Sequence, residues 1–316
     1  MTTTTGPHRA IVGNTPQEQL LGELFDELWE IYRTKVDYVR MYETMIQSHQ
    51  AHFFNDHIAF RTIAHENSYA GIATVSRMFE ALGYRSAGTY HFEDKSLSSV
   101  HLQHANPKLP KLFISEFRTW EVADEKCRTI LTNLVGASAA LSIDELHQLA
   151  ALKEVGQLDP TVKAKMLALL TQVPWQAPEI EDVRYVNKFS QFAAWVMVHG
   201  YQVNHFTALI NSHGVASLDN IDKTVAALQS VGVPMKTDIE GAPGSKLRQT
   251  ATEATVVEVG VRNNGTPTTM PWTYAYFELA ERNEIIDPTT GNKARFEGFL
   301  GPQATNLFDM TRLKQS

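Results

Sequence analysis

Leu20, Leu21, Leu24, Phe25, Leu28, Ile31 and Tyr32 recur at three- and four-residue intervals, which predicts an amphipathic helix lying on one face of a sheet. Thr15-Pro16 followed by Glu18 marks its start, with an N-cap, a proline at the first helical position and an acidic first turn. The period changes at Asp56-His57-Ile58-Ala59-Phe60-Arg61-Thr62-Ile63, which alternates as a strand does. From Ser68 the helical spacing returns through Ile72, Val75, Met78, Phe79 and Leu82, and Gly83 suits the residue just past a helix end. Extended stretches over 87–92 and 98–104 follow. After Asn106-Pro107 and Pro110 comes another strand over 111–117, so the local order is β-α-β-β-β.

The same order recurs further on. A strand over 203–209 carries His205, a helix runs through Ile221, Val225, Leu228 and Val231 to Gly232, and extended pieces lie at 249–252, 255–261 and 274–279. Gly83 stands 26 residues after His57, and Gly232 stands 27 after His205. Each half is expected to end in a strand bearing a carboxylate, Glu116 in the first and Glu278 in the second. Together these features predict an α+β fold made of two β-α-β-β-β modules, with an N-terminal helix and a helical insertion. Residues 1–14 read as a flexible leader and 15–316 as one catalytic domain. Within it lie module one (about 50–119), the insertion (about 120–200), module two (about 201–285) and a C-terminal segment (286–316). In the insertion, Ser142 with Glu145 forms a capping box, Asp159-Pro160 opens another helix, and a further helix is predicted over 181–199.

Composition narrows the chemistry. A formal charge of −7 argues against a nucleic-acid partner, which calls for a basic stripe. Apolar runs such as 192–198 fall far short of the roughly 20 residues a membrane helix needs. Cys127 is the single cysteine, which excludes an intramolecular disulfide and a thiolate cluster and fits a reducing, cytoplasmic setting. With twelve histidines, any bound metal must be held through nitrogen and oxygen ligands.

Two such modules, paired across a pseudo-twofold axis, would curve their strands around one cavity. His57 and His205 on the first strands and Glu278 on a last strand could then converge on one metal. Two histidines and a carboxylate leave coordination positions open for substrate and O2. Glu278 sits in an apolar strand and needs a partner, either a metal or an arginine such as Arg282. Glu116 is its competitor, unless Arg118 engages it in an ion pair. His91, His101 and His104 read as solvated or supporting groups, because strand residues three apart face opposite sides. Arg61, four residues after His57, shares its face and suits either bidentate capture of a substrate carboxylate or a salt bridge to a residue such as Glu66. Ser245, Arg248, Gln249 and Thr250 could line the pocket or form a turn.

His57-Ile58-Ala59-Phe60-Arg61, the run from Leu109 to Glu116, Asn204-His205-Phe206-Thr207 and Phe277-Glu278 with Arg282 resemble the family formerly called DUF1338. Phe296-Glu297-Gly298-Phe299 and the run from Leu307 to Thr311 add to the likeness, which extends from about residue 17 to 313. That family is associated with 2-oxoadipate dioxygenase/decarboxylase and a vicinal-oxygen-chelate-like curved sheet. The resemblance implies Fe(2+) held by His57, His205 and Glu278, with Arg61 as the essential substrate-binding arginine. The implied reaction converts 2-oxoadipate and O2 into 2-hydroxyglutarate and CO2. Two other functions suit the same residues. One is a glyoxalase-like isomerase or lyase using a non-redox metal, with Glu116 as an extra ligand or base; the other is a non-catalytic metal-binding protein.

Overall fold

A computed structural model describes residues 6–8, 11, 13–66, 70–136, 140–288, 290–301 and 308–311. Part of the predicted leader, the helix start expected at Ser68 and Leu307 lie outside the described residues. Helix α1 (Pro16–Lys35) begins where predicted, with the Thr15 hydroxyl accepting from the Glu18 amide at 3.2 Å. Helix α2 (Tyr38–Ser48) leads into β1 (Asn55–Ala64), followed by α3 (Ile72–Ala81), β2 (Arg85–Phe92), β3 (Leu97–Gln103) and β4 (Lys111–Arg118). The insertion carries α4 (Glu125–Val135), α5 (Ile143–Val155), α6 (Pro160–Thr171), α7 (Ile180–Asn187) and α8 (Gln191–His199). Module two comprises β5 (Val203–Leu209), α9 (Ile221–Ser230), β6 (Leu247–Ala251), β7 (Val256–Asn263), β8 (Thr266–Thr273) and β9 (Glu278–Arg282). Among the described residues no helix is long and apolar enough to cross a membrane.

Seven strands form one curled, half-barrel sheet in the order β2-β3-β4-β1-β5-β9-β6. Within each module the first strand runs parallel to the last, β1 beside β4 and β5 beside β9. The modules meet where β1 and β5 pair antiparallel, with Ile58 opposite Phe206. That register defines a local two-fold axis that exchanges His57 with His205, each one residue before the pivot. The aromatic side of α1 covers the sheet here: Trp29 packs edge-on against Phe206 at 5.0 Å, and Tyr32 at 4.9 Å.

Three local expectations differ from what forms. The helix predicted from 181 to 199 is two helices, because the chain breaks before Ser190, whose hydroxyl caps α8 by accepting from Ala193 N at 3.1 Å. From Phe192 to its end α8 is buried, so it shows no amphipathic stripe to read. Strand β7 leaves the main sheet and forms a two-stranded hairpin with β8, through an Asn264-Gly265 turn with both residues at positive φ. An Asn-Gly pair favours that two-residue hairpin over a strand inserted in the sheet. The remaining edge of module two is reduced to isolated bridges, Met235 with Thr252 and Glu240 with Gln249. Residues 274–277 are irregular, and regular pairing resumes at Glu278.

The symmetry also corrects the expected pairing of glutamates. Glu116 stands opposite Thr62, five residues after His57, and its Oε2 accepts from Ile72 N at 2.9 Å, at the start of α3. Its counterpart is Glu281, whose Oε2 accepts from Ile221 N at 2.8 Å, at the start of α9. Both carboxylates therefore hold helix N-termini, where amide donors and the helix dipole favour negative charge. Arg118 engages Glu121 and Ser98 instead. A side chain at Gly71 (φ 70°) would collide with the Glu116 carboxylate, so the start of α3 needs glycine there.

Removing either anchor, as Glu116→Ala or Glu281→Ala, is expected to lower stability by about 0.5–2 kcal/mol. Urea denaturation checks this, and a Glu281→Ala protein of unchanged midpoint would show that the carboxylate does not hold the helix.

Candidate metal centre

Strand geometry brings the predicted ligands together. His57, His205 and Glu278 each offer a ligand atom within 4.8 Å of the others. His57 Nε2 lies 3.5 Å from Glu278 Oε1, and His205 Nε2 lies 3.3 Å from Glu278 Oε2. The two imidazoles cross nearly at right angles with centroids 5.4 Å apart. All three residues are buried on the sheet's concave face and line one pocket.

Each histidine is aimed by the residue before it. The β1–β5 register slips twice, once at Asp56 and once at Asn204, so both strands carry a bulge one residue ahead of the ligand. Neighbouring strand residues ordinarily face opposite ways, and the bulge lets the side chains meet. Asp56 Oδ2 lies 2.8 Å from His57 Nδ1, and Asn204 Oδ1 lies 3.0 Å from His205 Nδ1. These acceptors place the ring proton on Nδ1 and leave each Nε2 as a lone-pair donor, that of His57 now accepting from the Thr207 hydroxyl at 3.0 Å. Burial depresses both histidine pKa values, that of His205 well below the ordinary range, so the rings stay neutral at physiological pH.

Glu278 tests whether this donor set fits a cation. Its Oε1 accepts from Gln249 Nε2 at 2.6 Å, whereas the buried Oε2 has no hydrogen-bond partner. Burial raises its pKa well above the usual carboxylate range. Two neutral imidazoles and an under-satisfied carboxylate form a set that a divalent metal would complete. Arg282, the expected rival for Glu278, grips Asp56 instead, with Nε–Oδ1 at 2.7 Å and Nη2–Oδ2 at 2.8 Å. Burial alone would raise the Asp56 pKa, but Arg282 and Lys111 hold it well below the normal range. Arg282 also donates to the carbonyls of Phe296 and Gly298, which ties the back of His57 to the segment carrying Phe299.

Arg61 shares the pocket with His57, as the strand parity requires. It does not pair with Glu66. Its guanidinium donates to Thr311 Oγ1 at 2.7 Å and Phe308 O at 3.2 Å, and lies over the rings of Phe192 and Trp195 at 4.9 and 5.3 Å. Burial lowers its pKa to about 10, which still leaves it charged at neutral pH. Phe299, Leu300 and Phe308 supply the apolar remainder of the wall, and Tyr276, whose hydroxyl is hydrogen-bonded with Arg61, stacks on His205 at 4.8 Å.

Of the other expected lining residues, only Gln249 reaches the pocket. Arg248 neighbours it on β6 and so faces the other side, bound to Asp222 at 2.7 Å. Ser245 sits in the preceding turn and donates to Leu247 O. Thr250 bonds Asp238 O. His101 is buried beside Tyr90, and burial lowers its pKa to about 4. His104 packs on Tyr84 instead. Sequence reasoning missed Asp56, Asn204 and the link from Arg282 to Asp56. The shared signal was a polar carbonyl-bearing residue directly before each histidine.

Asp56→Ala would leave Arg282 buried without its carboxylate, and is expected to destabilise the protein by about 3–5 kcal/mol. It should also weaken metal binding about 10- to 100-fold, because His57 loses its orienting acceptor. Urea denaturation and metal titration read the two effects separately; unchanged metal affinity would show that Asp56 does not position His57.

Comparison with known proteins places this architecture. A family model described as 2-oxoadipate dioxygenase/decarboxylase matches residues 20–309. The chain is 24% identical over 283 residues to the chloroplastic 2-oxoadipate dioxygenase/decarboxylase of Arabidopsis thaliana, covering 82% of this chain and 68% of the relative. Its fold is similar to that of a glyoxalase-superfamily protein from Ralstonia eutropha JMP134 (TM-score 0.75, 22% identity, covering 90% of this chain and 87% of the other). It is equally similar to the hydroxyglutarate synthase of Oryza sativa in complex with 2-oxoadipate (TM-score 0.75, 18% identity, covering 95% and 94%). By the reach of the family match, this chain belongs to the 2-oxoadipate dioxygenase/decarboxylase family.

Proposed function

We propose that this protein is an Fe(2+)-dependent dioxygenase and decarboxylase of a 2-oxo dicarboxylic acid, turning 2-oxoadipate and O2 into 2-hydroxyglutarate and CO2. The observation that carries the proposal is a buried two-histidine, one-carboxylate group in the same pocket as a buried arginine. Family membership and the names of the relatives support the choice of substrate. The reaction balances without an external reductant: the bond between the carboxyl and keto carbons breaks, and oxidation of the 2-oxo acid supplies the electrons that reduce O2.

His57, His205 and Glu278 would hold the metal, which when bound supplies the redox chemistry and a chelation point for the carboxylate and keto oxygens. The chain's own groups do the rest. Asp56 and Asn204 fix the imidazole orientations, and Gln249 fixes one carboxylate oxygen of Glu278. Arg61 offers a planar, desolvated fork to a substrate carboxylate, in exchange for the neutral acceptors it now holds. Phe299, Leu300 and Phe308 keep water from the reacting carbons. The isomerase or lyase reading called on Glu116 as an extra ligand or base. That carboxylate is committed to the start of α3 and is not among the pocket-lining residues.

His57→Ala, His205→Ala and Glu278→Ala are each expected to lose stoichiometric metal, measured by elemental analysis after anaerobic purification, while Glu116→Ala keeps it. Iron retained in a folded His205→Ala protein would defeat the ligand assignment. With the metal present, one CO2 should appear per O2 consumed, with no added 2-oxoglutarate. Turnover in strictly anaerobic buffer would defeat the oxygenase assignment.

Arg61→Ala should lower kcat/KM for 2-oxoadipate by very roughly 30- to several-thousand-fold, corresponding to about 2–5 kcal/mol for a desolvated charged hydrogen bond. Arg61→Lys should recover little, since an ammonium cannot reproduce the fork. Near wild-type turnover in a folded Arg61→Ala protein would remove the residue from substrate binding.

A further inference from the structure

We infer that Phe113 sets the number of protein ligands at this site, by filling with an apolar side chain the position that the two-fold symmetry assigns to a fourth ligand. The inference rests on the metal reading proposed above and concerns why the site stays open.

On β9, Glu278 stands opposite Thr207, two residues beyond His205. On β4, Phe113 stands opposite Ala59, two residues beyond His57. Both pairings are parallel, and β1 and β5 are related by the antiparallel pairing at Ile58 and Phe206. The rotation that carries His205 onto His57 therefore carries Glu278 onto Phe113. The same rotation carries Glu281 onto Glu116, and those two residues do perform the same task at the starts of α9 and α3. It also matches the two bulges at Asp56 and Asn204. Histidines, bulges and helix-holding glutamates thus correspond across the axis, whereas one module sets a carboxylate where the other sets a phenyl ring.

Phe113 faces the cavity, lining it together with His57, His205 and Glu278. Its ring packs on Phe299 at 4.8 Å and on Tyr90 at 5.5 Å, which makes an apolar wall where a donor atom would otherwise stand. A phenyl group offers no lone pair, so the protein contributes two nitrogens and one carboxylate. In an octahedral arrangement three protein ligands leave three positions, enough for a chelating 2-oxo acid and for O2. A fourth protein ligand would leave two, which the chelating acid alone would fill. The residue at 113 thereby decides whether the sheet can admit O2 beside a bound 2-oxo acid.

The test uses full-length wild-type protein, Phe113→Glu and Phe113→Gln, each stripped of metal and titrated anaerobically with Co2+. Phe113→Glu should bind Co2+ about tenfold or more tighter than wild type, since added ligand charge tunes metal affinity strongly. Its visible Co2+ absorption should change in shape, and 2-oxoadipate should still perturb that absorption. With Fe2+ in place of Co2+, O2 uptake on 2-oxoadipate should be lost. Phe113→Gln, which brings an oxygen without a charge, should show the same spectral change if burial of the glutamate prevents folding before metal is added. Folding of either variant only in the presence of Co2+ is also an expected result. Wild-type affinity and spectrum in both variants, or variants that stay unfolded in saturating Co2+, would overturn the inference. Wild-type protein that binds no Co2+ would instead overturn the metal reading on which it stands.

Discussion

The antiparallel pairing of β1 with β5 is the constraint on which the rest of this structure depends. It joins two modules whose first strands lie far apart in the chain, and its register at Ile58 and Phe206 sets the two-fold relation between them. Because side chains alternate along a strand, fixing that one register decides which residues of both strands face the cavity. A slip of one residue would turn His57, Arg61 and His205 toward the helices. The packing of Trp29 and Tyr32 of α1 on Phe206 makes such a slip costly, since it would expose aromatic surface and bury polar side chains. The bulges at Asp56 and Asn204 are the local adjustments within that register, and they convert two ordinary strand histidines into oriented ones.

The second feature is the way buried charge is distributed. Asp56 and Arg282 form a closed pair, bidentate in geometry and supported by Lys111 and by the carbonyls of Phe296 and Gly298. Such a pair is roughly neutral for stability when complete and costly when broken, so it acts as a rigid mount behind His57. Glu278 and Arg61 are treated differently. Neither engages the other, Glu278 Oε2 is left without a hydrogen bond, and the Arg61 fork rests on a hydroxyl and a carbonyl. A buried carboxylate oxygen left without a hydrogen bond costs folding free energy that a bound cation could offset. A completed pair thus stands behind His57, while the pocket itself holds an under-satisfied carboxylate and an arginine bound to neutral groups.

The segment after β9 closes this arrangement. Phe299 packs edge-on against His57 at 4.9 Å, and Phe308 contributes both its ring to the pocket wall and its carbonyl to Arg61. Arg282 links the two ends of the system, since one guanidinium holds the carboxylate behind His57 and the backbone that leads to Phe299. The pocket roof is thus connected to the orientation of His57 through Arg282 and Asp56.

Much of this was legible in the sequence because it follows from short-range periodicity. The alternation around His57 and around His205 identified two strands, the parity of positions 57 and 61 placed Arg61 on the ligand face, and the Thr15-Pro16 start of α1 followed from capping chemistry alone. The repeated order of elements further implied that two histidines would meet. Other features were decided by tertiary structure. The sequence offered Glu116 and Glu278 as equivalents, yet the register of the parallel pairs gives Glu116 to Glu281 and sets Glu278 against Phe113. Arg248 and Gln249 looked alike as pocket residues until the pairing of β6 with β9 settled which of them faces inward. The partner of Arg282 likewise depended on a bulge that places Asp56 within its reach. Local pattern fixes which residues share a face of one strand, because that depends on backbone geometry two residues at a time. Which face of one strand meets which face of another depends on register between segments far apart in the chain, and only the packed sheet supplies it.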